Sequence, residues 1–125
     1  MFDEKDLIHA SSRADALADG TLVDVSASAD EAGIKYPVAL TRAVWSLYVA
    51  VPAGVACQDE AGRLWDVLMM LRHAIRRARP GTSNVLYQLH VRNDNRRPRP
   101  VTLKAVCGPG GDGAPCITVM LPDED

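Results

Sequence analysis

Three side chains of this chain could combine a nucleophile with a base, namely Cys57, Asp66 and His73. A thiol becomes reactive when a neighbouring base favours its thiolate, and a carboxylate can orient the histidine that acts as this base. Asp66 and His73 stand seven residues apart in a helical pattern, so both would lie on roughly the same side of that helix. No spacing relates Cys57 to either of them. We therefore assign no catalytic residue and expect a protein that is not an enzyme.

Histidine and cysteine are also the usual protein ligands of zinc. The only grouping that one sheet could assemble is His90 with Cys107 and Cys116, and these three lack the short ligand spacings of zinc sites. The glycine-rich segment 108–113 lies between two predicted strands, so it lacks the helix N-terminus with which such loops bind phosphate. The sequence predicts no metal, no cofactor and a hairpin turn at 108–113.

The charged residues are sorted along the chain. Residues 1–62 carry ten acidic and four basic side chains, residues 63–104 two acidic and ten basic, and residues 105–125 four acidic and none basic. Nine of the ten cations in the middle segment are arginines, whose planar donors suit carboxylates and phosphates. The candidate binding residues lie on a predicted helix, on the loop that joins two predicted strands and on a polar sheet face: Arg72, Arg76, Arg79, Arg92, Arg96, Arg97, Arg99 and Lys104.

Two interpretations of this basic segment stay open. It could be a contact surface for an acidic protein or for nucleic acid, or a solvated surface that keeps the protein soluble. A pI of 5.9 and the absence of a recognisable DNA-binding motif count against nucleic acid. The acidic ends could neutralise the basic segment or contact a basic partner, although helix capping is the simpler explanation for Asp15, Asp30 and Glu31.

Capping signals predict a short first helix and a strand near the N-terminus. Ser12 is typical of an N-cap with Asp15 three residues later, and Gly20 is typical of the left-handed residue that ends a helix. Residues 21–25 (TLVDV) then favour a short strand.

Two further helices are predicted before residue 50. Ser28 starts a second capping box, whose helix would end at Gly33. Pro37 favours the first turn of a third helix over residues 38–49, because a backbone N–H at that position would have no acceptor within the helix.

The most regular helical pattern spans residues 60–79 and ends at Pro80. Apolar residues recur at helical spacing, at Leu64, Leu68, Leu71 and Ile75. The opposite side carries three of the candidate arginines. The pattern predicts a long amphipathic helix with one buried face.

Beyond that helix the apolar period changes from 3.6 to 2. Alternation over residues 85–92, 101–107 and 116–121 predicts three strands. The two short connections predict antiparallel pairing, hence a three-stranded meander packed on the helices. We expect one α+β domain over residues 1–125.

The N-terminus is acidic and lacks the apolar segment of a signal peptide. No apolar stretch is long enough to span a bilayer, and three cysteines do not suggest a disulfide framework. These features predict a cytoplasmic protein without a membrane partner. A homodimer, formed through an exposed strand edge or the apolar segment 49–57, stays open.

Four segments carry a resemblance: SRADALADGTLVDVS (12–26), AGIKYPVALTRAVW (32–45), DEAGRLWDV (59–67) and RPRPVTLKAVCGPGGDGAPCITVMLPDED (97–125). The chain resembles an uncharacterised family of short bacterial proteins encoded on plasmids, prophage-like islands and integrative conjugative elements. The resemblance is weakest over residues 50–58, and it carries no catalytic residues.

The resemblance implies an accessory protein that binds host machinery. Our leading hypothesis is a non-enzymatic inhibitor of a host defence complex, such as a CRISPR–Cas ribonucleoprotein or a restriction system, which acts through charged surfaces. The alternative is a nucleic-acid-binding accessory protein for maintenance or transfer of the mobile element.

Overall fold

A five-stranded sheet with helices packed on it makes up the computed structural model, which describes residues 13–109 and 114–124. The helical elements are α1 (residues 13–19), α2 (Ser26–Glu31), α3 (Arg42–Val44) with its π-helical continuation Trp45–Val49, and α4 (Glu60–Arg77). The strands are β1 (Leu22–Asp24), β2 (Val38–Thr41), β3 (Asn84–Val91), β4 (Arg99–Pro109) and β5 (Pro115–Met120). The predicted α+β class is confirmed.

The described strands are ordered β1-β2-β5-β4-β3 across the sheet. β3, β4 and β5 pair antiparallel, which confirms the predicted meander. β2 pairs antiparallel with β1 and parallel with β5. The predicted three-stranded sheet was therefore too small, because β1 and β2 extend it.

The predicted helix over residues 38–49 is wrong in its first four residues, which form β2. Val38, Ala39 and Leu40 are at most 1% exposed. A strand that is flanked by two others and covered on both faces has no polar alternation. A short apolar run of this kind cannot be distinguished from a buried helical turn by its period.

The helical part of that segment begins only after β2. Thr41 is the N-cap, and its Oγ1 accepts a hydrogen bond from the Val44 amide at 3.3 Å. The helix then widens into the π-helical turn, which Ala50 closes by donating its N–H to the Trp45 carbonyl at 2.8 Å.

The first predicted helix and strand agree with the structure. α1 is followed by Gly20 at φ +85°, the left-handed conformation that glycine favours. β1 lies within the predicted residues 21–25. The predicted Ser12 cap lies outside the described residues.

The second helix begins three residues earlier than predicted, since its N-cap is Val25 and not Ser28. Oδ1 of Asp24 accepts hydrogen bonds from the amide and the hydroxyl of Ser26, at 2.9 and 2.6 Å, so Asp24 fixes the start of α2. Ser28 therefore lies inside the helix, and Gly33 follows its end with φ +94° as predicted.

The long helix is confirmed and is two residues shorter than predicted. Asp59 caps it, since its Oδ1 accepts a hydrogen bond from the Gly62 amide at 2.6 Å. α4 ends at Arg77, and Arg79 belongs to the turn that follows. Helical backbone is disfavoured at the residue that precedes a proline, which explains why α4 ends before Arg79.

The hydrophobic core lies between α4, α2 and one face of the sheet. Leu68 and Leu71 are fully buried, and burial of one leucine side chain contributes about 1.5–3 kcal/mol. On the sheet, Leu103 and Val119 belong to the same buried cluster as these two leucines. Ile75, which the sequence placed in the same stripe, is still 37% exposed.

Candidate binding surface

Three of the candidate arginines lie in the second half of α4 and in the turn that follows it. Arg76 and Arg79 are exposed and Arg72 is half-buried. Within the described part of the chain, Lys35 forms an ion pair with Asp30, and Arg99 forms one with Asp94. The three guanidinium groups of Arg72, Arg76 and Arg79, here called the helix cluster, therefore keep their charge unneutralised by any described carboxylate.

Arg72 is fixed against the end of α2. Its Nε lies 2.9 Å from the position that a Cβ atom of residue 33 would take, so only glycine fits there. The same Nε is buried and finds no hydrogen-bond acceptor among the described residues. An unpaired buried donor costs about 1–3 kcal/mol.

An apolar cavity opens beside the helix cluster. It has a volume of about 390 Å³, and Arg79 contributes to its lining. Its apolar wall comes from the end of α4, the turn after it, the strands β3, β4 and β5, and the segment before β2. The larger lining residues are Tyr36, Ile75, Pro80, Val85 and Ile117. We call it the Tyr36 cavity, because Tyr36 is 50% exposed at this site. The cavity offers room for an apolar side chain next to Arg79, whose charge no described carboxylate neutralises.

The other arginines gather in the loop between β3 and β4. Arg92 donates to the carbonyl oxygens of Ala56 and Asp94, so its guanidinium fixes the loop. Arg99 forms an exposed ion pair with Asp94 at 3.6 Å. Arg96 and Arg97 are exposed and make no ion pair with a described residue. We call Arg92, Arg96, Arg97 and Arg99 the loop cluster.

Arg63 holds this loop in place. Its guanidinium donates to the Arg92 carbonyl at 2.7 Å and to Oδ1 of Asn93 at 2.6 Å. It also donates to the carbonyls of Val49 and Leu47, at 3.2 and 3.3 Å. Burial lowers the pKa of Arg63 from its ordinary value, and only hydrogen bonds compensate that burial.

The sequence analysis counted Arg63 as a charge and did not assign it this role. A signal was present, because Arg63 stands four residues before the buried Val67 and so lies on the inward side of α4. An arginine on a buried helix face indicates a guanidinium that is hydrogen-bonded inside the protein.

The eight predicted binding residues do not form one continuous surface. Arg63 touches the loop cluster, and Arg76 follows thirteen residues later, roughly 20 Å along the helix axis. Lys104 lies on the other face of the sheet, because it alternates with the buried Leu103 and Ala105. Its Nζ donates to the Glu124 carbonyl at 2.6 Å. The structure thus has two arginine clusters and a separate lysine.

The candidate catalytic side chains are not brought together. Cys57 and Asp66 line one cavity, whereas His73 lines a groove further along α4. Cys107 pairs with Ile117, and Cys116 with Gly108. The two cysteines therefore belong to opposite faces of the sheet. No group of three metal-binding side chains is found within residues 13–109 and 114–124.

The acidic residues of the N-terminal half mostly support local structure. Asp19 accepts hydrogen bonds from the amide and hydroxyl of Thr21, and Asp24 accepts the equivalent pair from Ser26. Asp30 forms an exposed ion pair with Lys35 at 3.4 Å. Asp19 and Asp24 thus support local turns, whereas the predicted capping role of Asp30 and Glu31 is wrong, because they are the last two residues of α2.

The fold defines a small α+β protein, and its candidate binding residues form two arginine clusters, one of them beside an apolar cavity. The model of a family of unknown function, DUF6573, matches residues 1–125, and the chain belongs to that family. No curated protein and no solved structure matches the chain. Across the described residues, no helix has the length and apolar character that crossing a membrane requires.

Proposed function

We propose that this protein is a non-enzymatic binding protein that docks an acidic partner protein on the helix cluster and the adjacent Tyr36 cavity. The observation that carries the proposal is the absence of a described carboxylate partner for Arg72, Arg76 and Arg79 beside an apolar cavity. Arginines around a pocket that takes an apolar anchor are typical of protein interfaces.

The partner class that fits is a segment with carboxylates around one apolar anchor side chain. The anchor would fill the cavity of about 390 Å³, and carboxylates would pair with Arg76 and Arg79 as bidentate acceptors. We assign the partner to a host defence complex of a bacterium that carries the mobile element, in the cytoplasm.

Affinity purification of the tagged protein from a bacterial lysate, with and without nuclease, tests this proposal. We expect a stoichiometric protein partner that survives nuclease treatment. Arg76→Glu with Arg79→Glu should abolish its capture. Arg96→Glu with Arg97→Glu changes the charge equally and is the matched control, which should retain capture.

The cavity needs a test of its own. Ser83 is exposed and lines the Tyr36 cavity, so Ser83→Trp fills the cavity without replacing a core residue. We expect this variant to lose the partner while its circular dichroism spectrum stays unchanged. Full binding by a variant with Arg72, Arg76, Arg96 and Arg97 all changed to Glu would overturn the proposal.

The alternative function is nucleic-acid binding for maintenance or transfer of a mobile element. The exposed, unpaired Arg96 and Arg97 at the tip of the loop favour it, because arginine forks also bind phosphates. It predicts capture that disappears with nuclease and an affinity that falls steeply with salt. The Arg96→Glu, Arg97→Glu variant should then lose more affinity than the helix-cluster variant.

A further inference from the structure

The strand β3 forms an edge of the sheet that lacks the usual protection. It is eight residues long and contains neither a proline nor a lysine, arginine or carboxylate. Natural edge strands are usually short or carry such residues, which prevents pairing with another chain. The other edge, β1, is only three residues long. A long uncharged edge strand such as β3 is suited to pair with a further strand.

The side of α4 next to this edge is self-complementary in charge. Asp66, Met70, His73 and Arg77 recur at spacings of four, three and four residues, so they share one side of the helix. Met70, His73 and Arg77 line a groove with the first half of β3, residues 85–88. Asp66 lies in a small cavity with the second half, residues 89–91.

The helix and the strand have a common midpoint. The middle of β3 falls between Tyr87 and Gln88, and the middle of the Asp66–Arg77 pair falls one turn from Val67. Oη of Tyr87 donates to the Val67 carbonyl at 3.3 Å and so joins the two elements. Met70 and His73 flank the midpoint of the pair and line the groove with residues 85–88, so the two midpoints lie near each other. A two-fold axis beside Gln88, which places this residue opposite its own copy on the same face of the sheet, therefore reverses the strand and the helix about nearly the same point.

We propose that two copies of this chain form a homodimer in which their β3 strands pair antiparallel into a continuous sheet. The same two-fold operation places Asp66 of one protomer opposite Arg77 of its partner, and the reciprocal pair forms at the other end. Met70 of each protomer faces His73 of the other across the axis. The charge complementarity of α4 therefore identifies the β3 strand of a second copy as the strand that pairs with β3.

The exposed Leu86 supports the same interface. It is 64% exposed, more than any other large hydrophobic residue that the structure describes, and it lies next to the middle of β3. In the dimer it would lie beside the β3 strand of the partner. Neither Asp66 nor Arg77 has an ion-pair partner among the described residues of its own chain, so both are available. This inference does not depend on the proposed acidic partner.

Light scattering during size-exclusion chromatography of the purified protein, with sedimentation equilibrium for the dissociation constant, tests the proposal. We expect a dimer, and a roughly tenfold or greater rise in the dissociation constant for Asp66→Lys and for Arg77→Glu, because each places like charges opposite each other. The double variant should recover the dimer. An equimolar mixture of the two single variants should form a heterodimer.

Matched variants separate this interface from effects on folding or net charge. Leu86→Lys should dissociate the dimer, whereas Leu47→Lys, at a 45% exposed leucine in the π-helical turn, should leave it intact. Arg76→Glu controls for Arg77→Glu. A wild-type monomer at high protein concentration overturns the proposal. So does a dimer that tolerates Leu86→Lys and both single charge reversals.

Discussion

Gly33 and Arg72 fit together only because residue 33 has no side chain. A Cβ atom at Gly33 would lie 2.9 Å from Nε of Arg72, closer than any ordinary contact. Gly33 also has φ +94°, a conformation that L-residues rarely adopt. The contact joins the end of α2 to α4, and it fixes the position of an arginine of the helix cluster.

Gly33→Ala should therefore destabilise the protein by about 2–4 kcal/mol, which combines backbone strain of ~1–2 kcal/mol with displacement of Arg72. Urea unfolding followed by circular dichroism measures the loss. Gly54→Ala is the matched control, because Gly54 has φ +81° and no neighbour within 4 Å of a Cβ atom. An equal cost for the two substitutions would contradict a steric role of Arg72.

Arg63→Met should destabilise the protein by roughly 3–5 kcal/mol, because it leaves several hydrogen-bond acceptors without their donor. The carbonyls of Val49, Leu47 and Arg92 lose a charged donor together. Thermal unfolding measures the effect, and amide hydrogen exchange should show local opening of residues 92–96.

Arg63→Lys distinguishes the charge of Arg63 from its geometry. Lysine keeps the positive charge but cannot reach all acceptors as a planar fork, so it should recover only part of the stability. Arg76→Lys, at an exposed position, should change the stability by less than about 0.5 kcal/mol. Full stability in Arg63→Lys would show that charge alone matters.

Asp59→Ala should weaken the start of α4 by about 1 kcal/mol, since it removes the acceptor for the Gly62 amide. Asp59→Asn retains an oxygen that can cap the helix and should cost less. Urea unfolding of both variants measures the difference. Equal losses for alanine and asparagine would exclude the cap as the cause.

Periodicity predicted the elements whose environment is regular. α4 and the meander β3–β4–β5 each pair one buried face with one exposed face, so their apolar periods are clear. β2 is buried on both faces, and Val38–Leu40 therefore carries no alternation that could reveal a strand. Its parallel pairing with β5 joins residues far apart in sequence, which no local pattern encodes.

The candidate site was predictable as a set of residues and not as a surface. Sequence grouped Arg72 with Arg96 by charge, yet the length of α4 places their clusters at its opposite ends. The Tyr36 cavity gave no sequence signal, because its lining comes from α4, the following turn and three strands. Only tertiary packing brings these segments together.

The Asp19 carboxylate provides a prediction about pH. Its Oδ1 accepts hydrogen bonds from the hydroxyl of Thr21 at 2.6 Å and from the Thr21 amide at 2.9 Å, and these bonds hold the pKa of Asp19 below its ordinary value. The pKa of Asp19 is thus lower in the folded state than in the unfolded state, where it is near 4. The two bonds stabilise the folded state above that pH, and their contribution is lost as the pH falls through the folded pKa.

Thr21→Val removes the hydroxyl and should raise the pKa of Asp19, measured by NMR titration of its carboxyl carbon. Thr21→Ser keeps the hydroxyl and should retain the lowered pKa. An unchanged Asp19 pKa in Thr21→Val would show that the hydroxyl is not its main cause.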